Sequence, residues 1–307
     1  MANDNKVDWT DDRHRRVIEE QRKFLWTPEQ RESIAAWIGF EAGWSMLDLG
    51  CGYGYLGWTY APYMSPGGRV VCVDREAPLL DEARLQAEEK ADDGCAFDFT
   101  CGDAYAVPLA DESVDVAFCQ TLLMHLKEPE KCLAEMVRVV RPGGVVVCNE
   151  PDNAPGKHDY VSTYEPTFEE LMEEERALWM SHFGRKARRE GDWAVGPRVP
   201  AMMHRLGLVD IEGRQNERVT LLVPPYDTPV QQHVKRMYVE NFERREEWKE
   251  EFREDYLAGG GSPEDFESFW ERWGRRGSDM IAALERGEFI MASAGNFYVF
   301  KGRKPEA

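Results

Sequence analysis

The sequence predicts an α/β protein built on a doubly wound, mostly parallel seven-stranded sheet with helical insertions. Three observations carry that prediction. The run MLDLGCGYGYLGW, residues 46–58, passes from an apolar strand through Gly50, Gly52 and Gly54 into the opening of a helix. A β-branched run, residues 68–74, is followed at once by an amphipathic stretch, residues 77–90, with Leu79, Leu80, Ala83 and Ala87 on its inner face. Strand and helix patterns then keep alternating to residue 150, the signature of parallel strands joined by helical crossovers.

The elements follow in order. Residues 9–40 read as helical. Within them Thr27-Pro28-Glu29-Gln30 forms a capping-box-like start, and Ile34, Ala35, Trp37 and Ile38 form the apolar side. Strands are predicted over 96–100, 113–120 and 145–149. A helix with Cys132, Leu133, Met136 and Val137 inside is ended by Arg141-Pro142-Gly143-Gly144. Beyond Glu150 come a loop over 151–156, a charged helix over 167–189 and a helix over 197–206. The sixth strand is expected within 208–223 and the last over 289–301. Between them a second helical addition carries Trp248, Phe252, Phe266, Phe269, Trp270 and Trp273, and is divided by Gly259-Gly260-Gly261-Ser262-Pro263. The expected organisation is therefore an N-terminal helical segment (1–42), a core (43–150), an insertion (151–196), core again (197–223), a second insertion (224–287), and a last strand with its tail (288–307).

A glycine-rich turn between a strand and a helix is where a doubly wound sheet binds the adenosine part of a cofactor. Glycine lets the backbone turn tightly and approach a ligand with no Cβ in the way. Gly52, Gly54 and Gly57 match G-x-G-x-x-G, the dinucleotide fingerprint. Asp48, two places before Gly50, argues for a different ligand. A carboxylate at the tip of the first strand repels a pyrophosphate. It suits a cationic amino-acid moiety, reached directly or through water, and S-adenosylmethionine carries an ammonium and a sulfonium but no phosphate. In Asp48-Leu49-Gly50-Cys51-Gly52-Tyr53-Gly54 the chain resembles the class I, Rossmann-like S-adenosylmethionine-dependent methyltransferases, whose first motif is D/E-x-G-x-G-x-G. Arg141-Pro142-Gly143-Gly144 before a Val-rich strand is a second point of resemblance, which covers about residues 44–150.

The cofactor residues expected are Asp48, Gly50, Cys51, Gly52 and Gly54 at the methionine end, and Asp74 with Arg75 at the ribose. Asp103 and Ala104 are expected at the adenine, and Gln120 on the rim near the sulfonium. Asp74 ends the second strand, 26 residues after Asp48, where an acceptor suits two ribose hydroxyls. The resemblance also implies that the leading helical segment closes over the cofactor, with Trp9, Arg22 and Trp26 as candidates, and that the two insertions build a substrate lid. Candidate bases for the acceptor lie at the carboxyl ends of the fourth and fifth strands. They are His125 and Glu150 first, then Asp152, His158 and Tyr160. Val223-Pro224-Pro225-Tyr226 is not the N-P-P-Y signature of many amino-methyltransferases, since it follows the sixth strand.

Composition narrows the partners. With 57 Asp and Glu against 38 Lys and Arg, the net charge of −19 speaks against nucleic acid and acidic membranes. The basic clusters at 13–16 and 184–189 read as solvated helix faces. Hydrophobic content is 42% with no apolar run near 18 residues, and the first residues have no apolar stretch, so neither a membrane helix nor a secretory signal is expected. Seven cysteines, an odd number with no C-x-x-C pair, suggest reduced thiols in a cytoplasmic protein, with no zinc site or other metal. The expected function is methyl transfer to O or N of a small-molecule substrate, with a homodimer as a candidate assembly. Two alternatives stay open: an NAD(P)-dependent oxidoreductase using Gly52, Gly54 and Gly57, and a catalytically inactive S-adenosylmethionine-binding partner protein.

Overall fold

A computed structural model describes residues 26–89, 94–154, 160–188, 191–215 and 219–306. In chain order the elements are α1 (Pro28–Ile38), β1 (Ser45–Leu49), α2 (Tyr55–Tyr60), β2 (Gly68–Asp74), α3 (Ala77–Glu89), β3 (Cys95–Cys101), β4 (Val114–Gln120), α4 (Pro129–Val139), β5 (Val140–Asp152), β6 (Tyr160–Val161) and α5 (Phe168–Ala187). They continue with α6 (Val199–Arg205), β7 (Val209–Gln215), β8 (Thr220–Leu222), α7 (Pro229–Glu243), α8 (Lys249–Ala258), α9 (Pro263–Arg286), β9 (Met291–Ser293) and β10 (Asn296–Arg303). The chain divides into two compact units. Unit 1 comprises 1–152, 194–216 and 296–307, and unit 2 comprises 153–193 and 217–295.

Unit 1 is the doubly wound half. Its seven strands lie in the order β3-β2-β1-β4-β5-β10-β7, and β10 runs antiparallel to both neighbours. The remaining pairs, β1–β2, β1–β4, β2–β3 and β4–β5, are parallel. The inner strands are buried on both faces, so they read as continuous apolar runs. Alternate residues feed two cores. Leu47, Leu49, Val71 and Val73 pack with Leu133 and Met136 of α4 and Met202 and Met203 of α6. Met46, Val70, Cys72 and Phe118 pack with Ile34, Ala35 and Ile38 of α1 and Leu56 and Tyr60 of α2. Helix α1 starts at the expected capping box: the Thr27 hydroxyl accepts from Gln30 N–H, and the Gln30 side chain accepts from Thr27 N–H. Trp26 is half-buried against the second core, whereas Trp9 and Arg22 lie outside the described residues.

Three strand boundaries differ from the sequence reading. Residues 141–144 belong to β5, whose pairing with β4 slips there, and Gly143 takes φ +75°. A Cβ on Gly144 would stand 2.6 Å from the Asp115 carbonyl, so only glycine lets the irregular stretch lie flat on β4. The run 208–223 serves two sheets, with β7 in the large sheet and β8 in a small one. The run 289–301 likewise splits, around Gly295, into β9 and β10.

Unit 2 has its own sheet, β6-β9-β8, backed by Leu222, Tyr226, Val234, Leu284 and Phe289. A second cluster gathers Ala177, Tyr256, Phe266, Phe269 and Trp270. Helices α5 and α8 meet backbone to backbone: a Cβ on Gly184 would lie 1.7 Å from the Asp255 carbonyl oxygen, and one on Gly259 would lie 1.9 Å from that of Met180. Asp255, buried, accepts from Arg188 at 2.8 Å and faces Arg185 at 3.7 Å, which fastens the same crossing. Among the described residues no helix is long and apolar enough to cross a membrane.

Candidate functional site

The glycine turn lies at the carboxyl end of β1, between β2 and β4. Gly50, Gly52 and Gly54 all take the left-handed conformation, with φ of +69°, +53° and +78°. Each has its own reason to be glycine. A Cβ on Gly50 would stand 2.8 Å from a Leu122 methyl, and one on Gly54 would stand 2.9 Å from the Trp58 indole nitrogen. A Cβ on Gly52 would meet nothing within 4 Å, so the space before it is open.

The turn's amides are committed to the chain itself. Gly50 and Cys51 N–H donate to the Val73 carbonyl at 2.8 and 3.2 Å, and Gly54 N–H donates to that of Cys51 at 2.8 Å. Gly52 N–H donates to the Asp74 carboxylate at 2.8 Å. Asp48, 1% exposed at the end of β1, accepts from Gly57 N–H in the first turn of α2 at 2.9 Å. A dinucleotide site works by turning loop and helix amides toward a pyrophosphate. Here the chain's own carboxylates and carbonyls take the Gly50, Cys51, Gly52, Gly54 and Gly57 amides, and the Asp48 carboxylate is buried beneath the turn.

Asp48 therefore holds the turn from beneath, and its burial leaves little surface for the direct half of the contact expected of it, directly or through water. Asp74 is half-buried at the end of β2. Its other oxygen accepts from Glu76 N–H at 2.9 Å, and burial pushes its carboxyl above the ordinary value against the pull of those two amides. Two carboxylate oxygens have about four lone-pair positions, so acceptor capacity remains for a ligand's hydroxyls. Arg75 is exposed and pairs with Glu76 at 3.1 Å. Cys51 is buried. The neighbouring Cys72 thiol, burial and the nearby Asp48 charge push its thiol well up, which keeps it unreactive at neutral pH. Asp103 is exposed at the end of β3 and accepts from Tyr105 N–H at 2.9 Å, with half-buried Ala104 inside that turn.

At the end of β4, Gln120 is buried and its amide nitrogen has no hydrogen-bond partner. Its cross-strand neighbour Asn149 has an equally unpartnered side-chain oxygen. Unmatched buried polar atoms are rare enough to mark a functional position. Thr121 follows in the left-handed region at φ +50°, a strained conformation for a β-branched residue.

Glu150, expected as a candidate base for the acceptor, is not open to a ligand. It is fully buried, and it accepts from the Leu122 and Leu123 amides at 2.9 Å each and from Met124 N–H at 3.3 Å. It anchors the turn that follows β4, and that turn supports Gly50 through Leu122. His125 sits half-buried in the same 3-10 turn, Leu123–His125. Asp152 ends β5, Tyr160 is exposed in unit 2, and His158 lies outside the described residues. The roles of Thr121, Leu122 and Asn149 were missed by the sequence reading, which had no local signal for a left-handed threonine.

Fold and site together give a doubly wound α/β domain whose glycine turn is held by its own carboxylates and carbonyls. The comparisons place it more narrowly. Residues 47–148 match a family model described as a methyltransferase domain. The chain is 41% identical over 110 residues to an uncharacterized 37.1 kDa protein in a Streptomyces fradiae transposon, covering 36% of this chain and 31% of that protein. It is 33% identical over 124 residues to the demethylmenaquinone methyltransferase of Renibacterium salmoninarum (40% and 48%), and 35% over 105 residues to the malonyl-[acyl-carrier protein] O-methyltransferase of Yersinia pestis (34% and 36%). The chain thus spans less than half the length of these curated relatives. Among solved structures, a Bacillus halodurans protein superposes with a TM-score of 0.53 at 15% identity, over 90% of this chain and 99% of that one. A Haemonchus contortus phosphoethanolamine N-methyltransferase superposes with a TM-score of 0.50 at 18% identity (94% and 57%). Residues 47–148 are thus similar to a methyltransferase domain, and the fold is shared with these Rossmann-like structures.

Proposed function

We propose that the protein transfers a methyl group to oxygen or nitrogen of a small-molecule acceptor in the cytoplasm. The observation that carries the cofactor half is the closed glycine turn, its amides satisfied internally and Asp48 buried beneath it. Bound there, S-adenosylmethionine supplies a methyl group on an activated sulfonium. The chain's part is to bind and align. Gly52 leaves room against the turn, Asp74 offers acceptor positions to hydroxyls, and Gln120 holds an unmatched donor at the end of β4. Positioning of this kind is worth about 7–11 kcal/mol in well-oriented reactions.

Glu150 is a positioning residue, because its carboxylate is buried under three amides. His125, on the turn that Glu150 holds, is the base candidate for an acceptor that must lose a proton. The cytoplasmic assignment rests on seven cysteines that are all unbridged thiols, five of them buried. Calorimetric titration of the full chain with S-adenosylhomocysteine and, separately, NADH tests the cofactor. Binding of the first alone is expected, and binding of NADH alone overturns the reading. Transfer of label from methyl-labelled cofactor to a fractionated metabolite extract tests the acceptor class. Label on carbon or on macromolecules refutes the O or N small-molecule assignment.

A further inference from the structure

Unit 2 contains a partly open cavity of about 1330 Å³ lined by its own elements. That is at or above the size of an ordinary small-molecule pocket, about 300–1,000 Å³. One wall is aromatic: Trp273 lies 5.3 Å from Trp248 and 6.4 Å from Phe242, measured between ring centroids. The Phe242 ring covers Gly277, where a Cβ would stand 1.9 Å from it, so the glycine keeps this wall flat. Met237, Met280 and Met291 contribute unbranched thioethers that adapt to irregular ligands. Among the described residues the charged lining is three carboxylates, Glu165, Glu174 and Glu175, against one guanidinium, Arg276. That guanidinium is engaged already, ion-paired to Glu174 and stacked 3.7 Å over the Tyr164 ring. The described lining therefore offers a large apolar and aromatic surface and a negative field, with the Arg276 cation neutralised, which disfavours an anionic ligand.

We propose that this cavity binds a bulky, largely apolar molecule that is uncharged or cationic. Its identification as the body of the methyl acceptor rests on the methyl-transfer reading above, whereas the binding itself does not. The same charge argument disfavours phosphorylated or carboxylated acceptors.

The test titrates the full chain with N-phenyl-1-naphthylamine, an uncharged dye that brightens in apolar surroundings. A parallel titration uses 8-anilinonaphthalene-1-sulfonate, the same body carrying an anion. Saturable binding of the neutral dye, about tenfold or more tighter than the sulfonate, is expected, with quenching of tryptophan emission because Trp248 and Trp273 line the cavity. Leu178→Trp, which fills the cavity, should weaken neutral-dye binding about tenfold or more while leaving S-adenosylhomocysteine affinity unchanged. If that variant fails to fold, Leu171→Trp carries the same expectation. Absent or non-saturable binding, binding without quenching, a preference for the sulfonate, or indifference to the filled cavity overturns the proposal. If S-adenosylhomocysteine binds and the neutral dye does not, the cavity inference alone fails. If the dye binds and S-adenosylhomocysteine does not, the cofactor reading alone fails.

Discussion

Glu150→Gln separates a general base from an anchor. In the wild type one carboxylate oxygen accepts from the Leu122 and Leu123 amides and the other from Met124, with the whole residue buried. Glutamine keeps the shape and one acceptor but turns an NH2 donor toward the Met124 amide. A buried donor left unmatched costs about 1–3 kcal/mol, and hydrogen bonds to a charged group are stronger than the neutral ones that replace them. The combined loss is about 3 kcal/mol. For a unit of this size that lowers Tm by about 6–12 °C. Scanning calorimetry of the full chain with and without S-adenosylhomocysteine is the assay, read beside kcat once an acceptor is in hand. The anchor reading expects lower stability and weaker ligand binding together, because the turn after β4 loosens against Gly50. An unchanged Tm with kcat abolished would refute it and restore Glu150 as the base.

Four further outcomes follow from the same geometry. Asp74→Ala removes the acceptor of Gly52 N–H and the positions offered to hydroxyls, so S-adenosylhomocysteine affinity in calorimetry should fall by about ten- to hundredfold, the equivalent of one or two lost hydrogen bonds to a charge; unchanged affinity counts against the ribose assignment. Gly184→Ala drives a methyl into the Asp255 carbonyl, and urea unfolding should show unit 2 destabilised by about 3 kcal/mol, with a neutral result excluding the close crossing of α5 and α8. At Asp115 burial pushes the carboxyl up, but the Ser45 amide and hydroxyl and the Arg141 guanidinium outweigh it and hold it below 3.8, its ordinary value. Its stabilisation is thus full above that value and lost as pH falls through the lower folded one, so wild type should lose its advantage over Asp115→Asn between about pH 5 and the acid limit; parallel stability curves would contradict this. Gly50→Ala and Glu150→Gln act on the two sides of Leu122, and a double-mutant cycle should show about 0.5–3 kcal/mol of coupling, with strict additivity breaking the link.

Much of unit 1 was legible because its signals are local. The glycine turn, Asp74 at the end of β2, the inner face of α4 and the Thr27 cap each depend on residues within one or two turns of chain. The order of the sheet was not legible. No pattern in residues 296–303 reveals that β10 runs antiparallel between β5 and β7, since that is settled by which apolar faces remain after β5 is covered. The splitting of 208–223 and 289–301 between two sheets failed for the same reason. In both stretches only the three-dimensional packing assigns the halves to their sheets. The cavity of unit 2 was illegible as a site because its lining is scattered from Tyr160 to Met291. The sequence reading saw the aromatic residues of the second insertion without the space they leave.

Glu150 shows how a chemically suggestive residue can be misread. A glutamate closing a buried Val-rich strand invites a catalytic role because a charge there is expensive to bury. The structure resolves the expense through backbone amides that no sequence pattern displays. Those amides belong to Leu122, Leu123 and Met124, and the Leu122 side chain lies where a Cβ of Gly50 would stand 2.8 Å from its methyl. The glycine at position 50 and the acid at position 150 are thus two ends of one contact chain. The cofactor turn keeps its shape because β5, through Glu150 and the turn after β4, presses on it. The glycine motif read alone accounts for Gly50 by what a ligand needs; the packing adds that the protein needs it too, with or without the ligand.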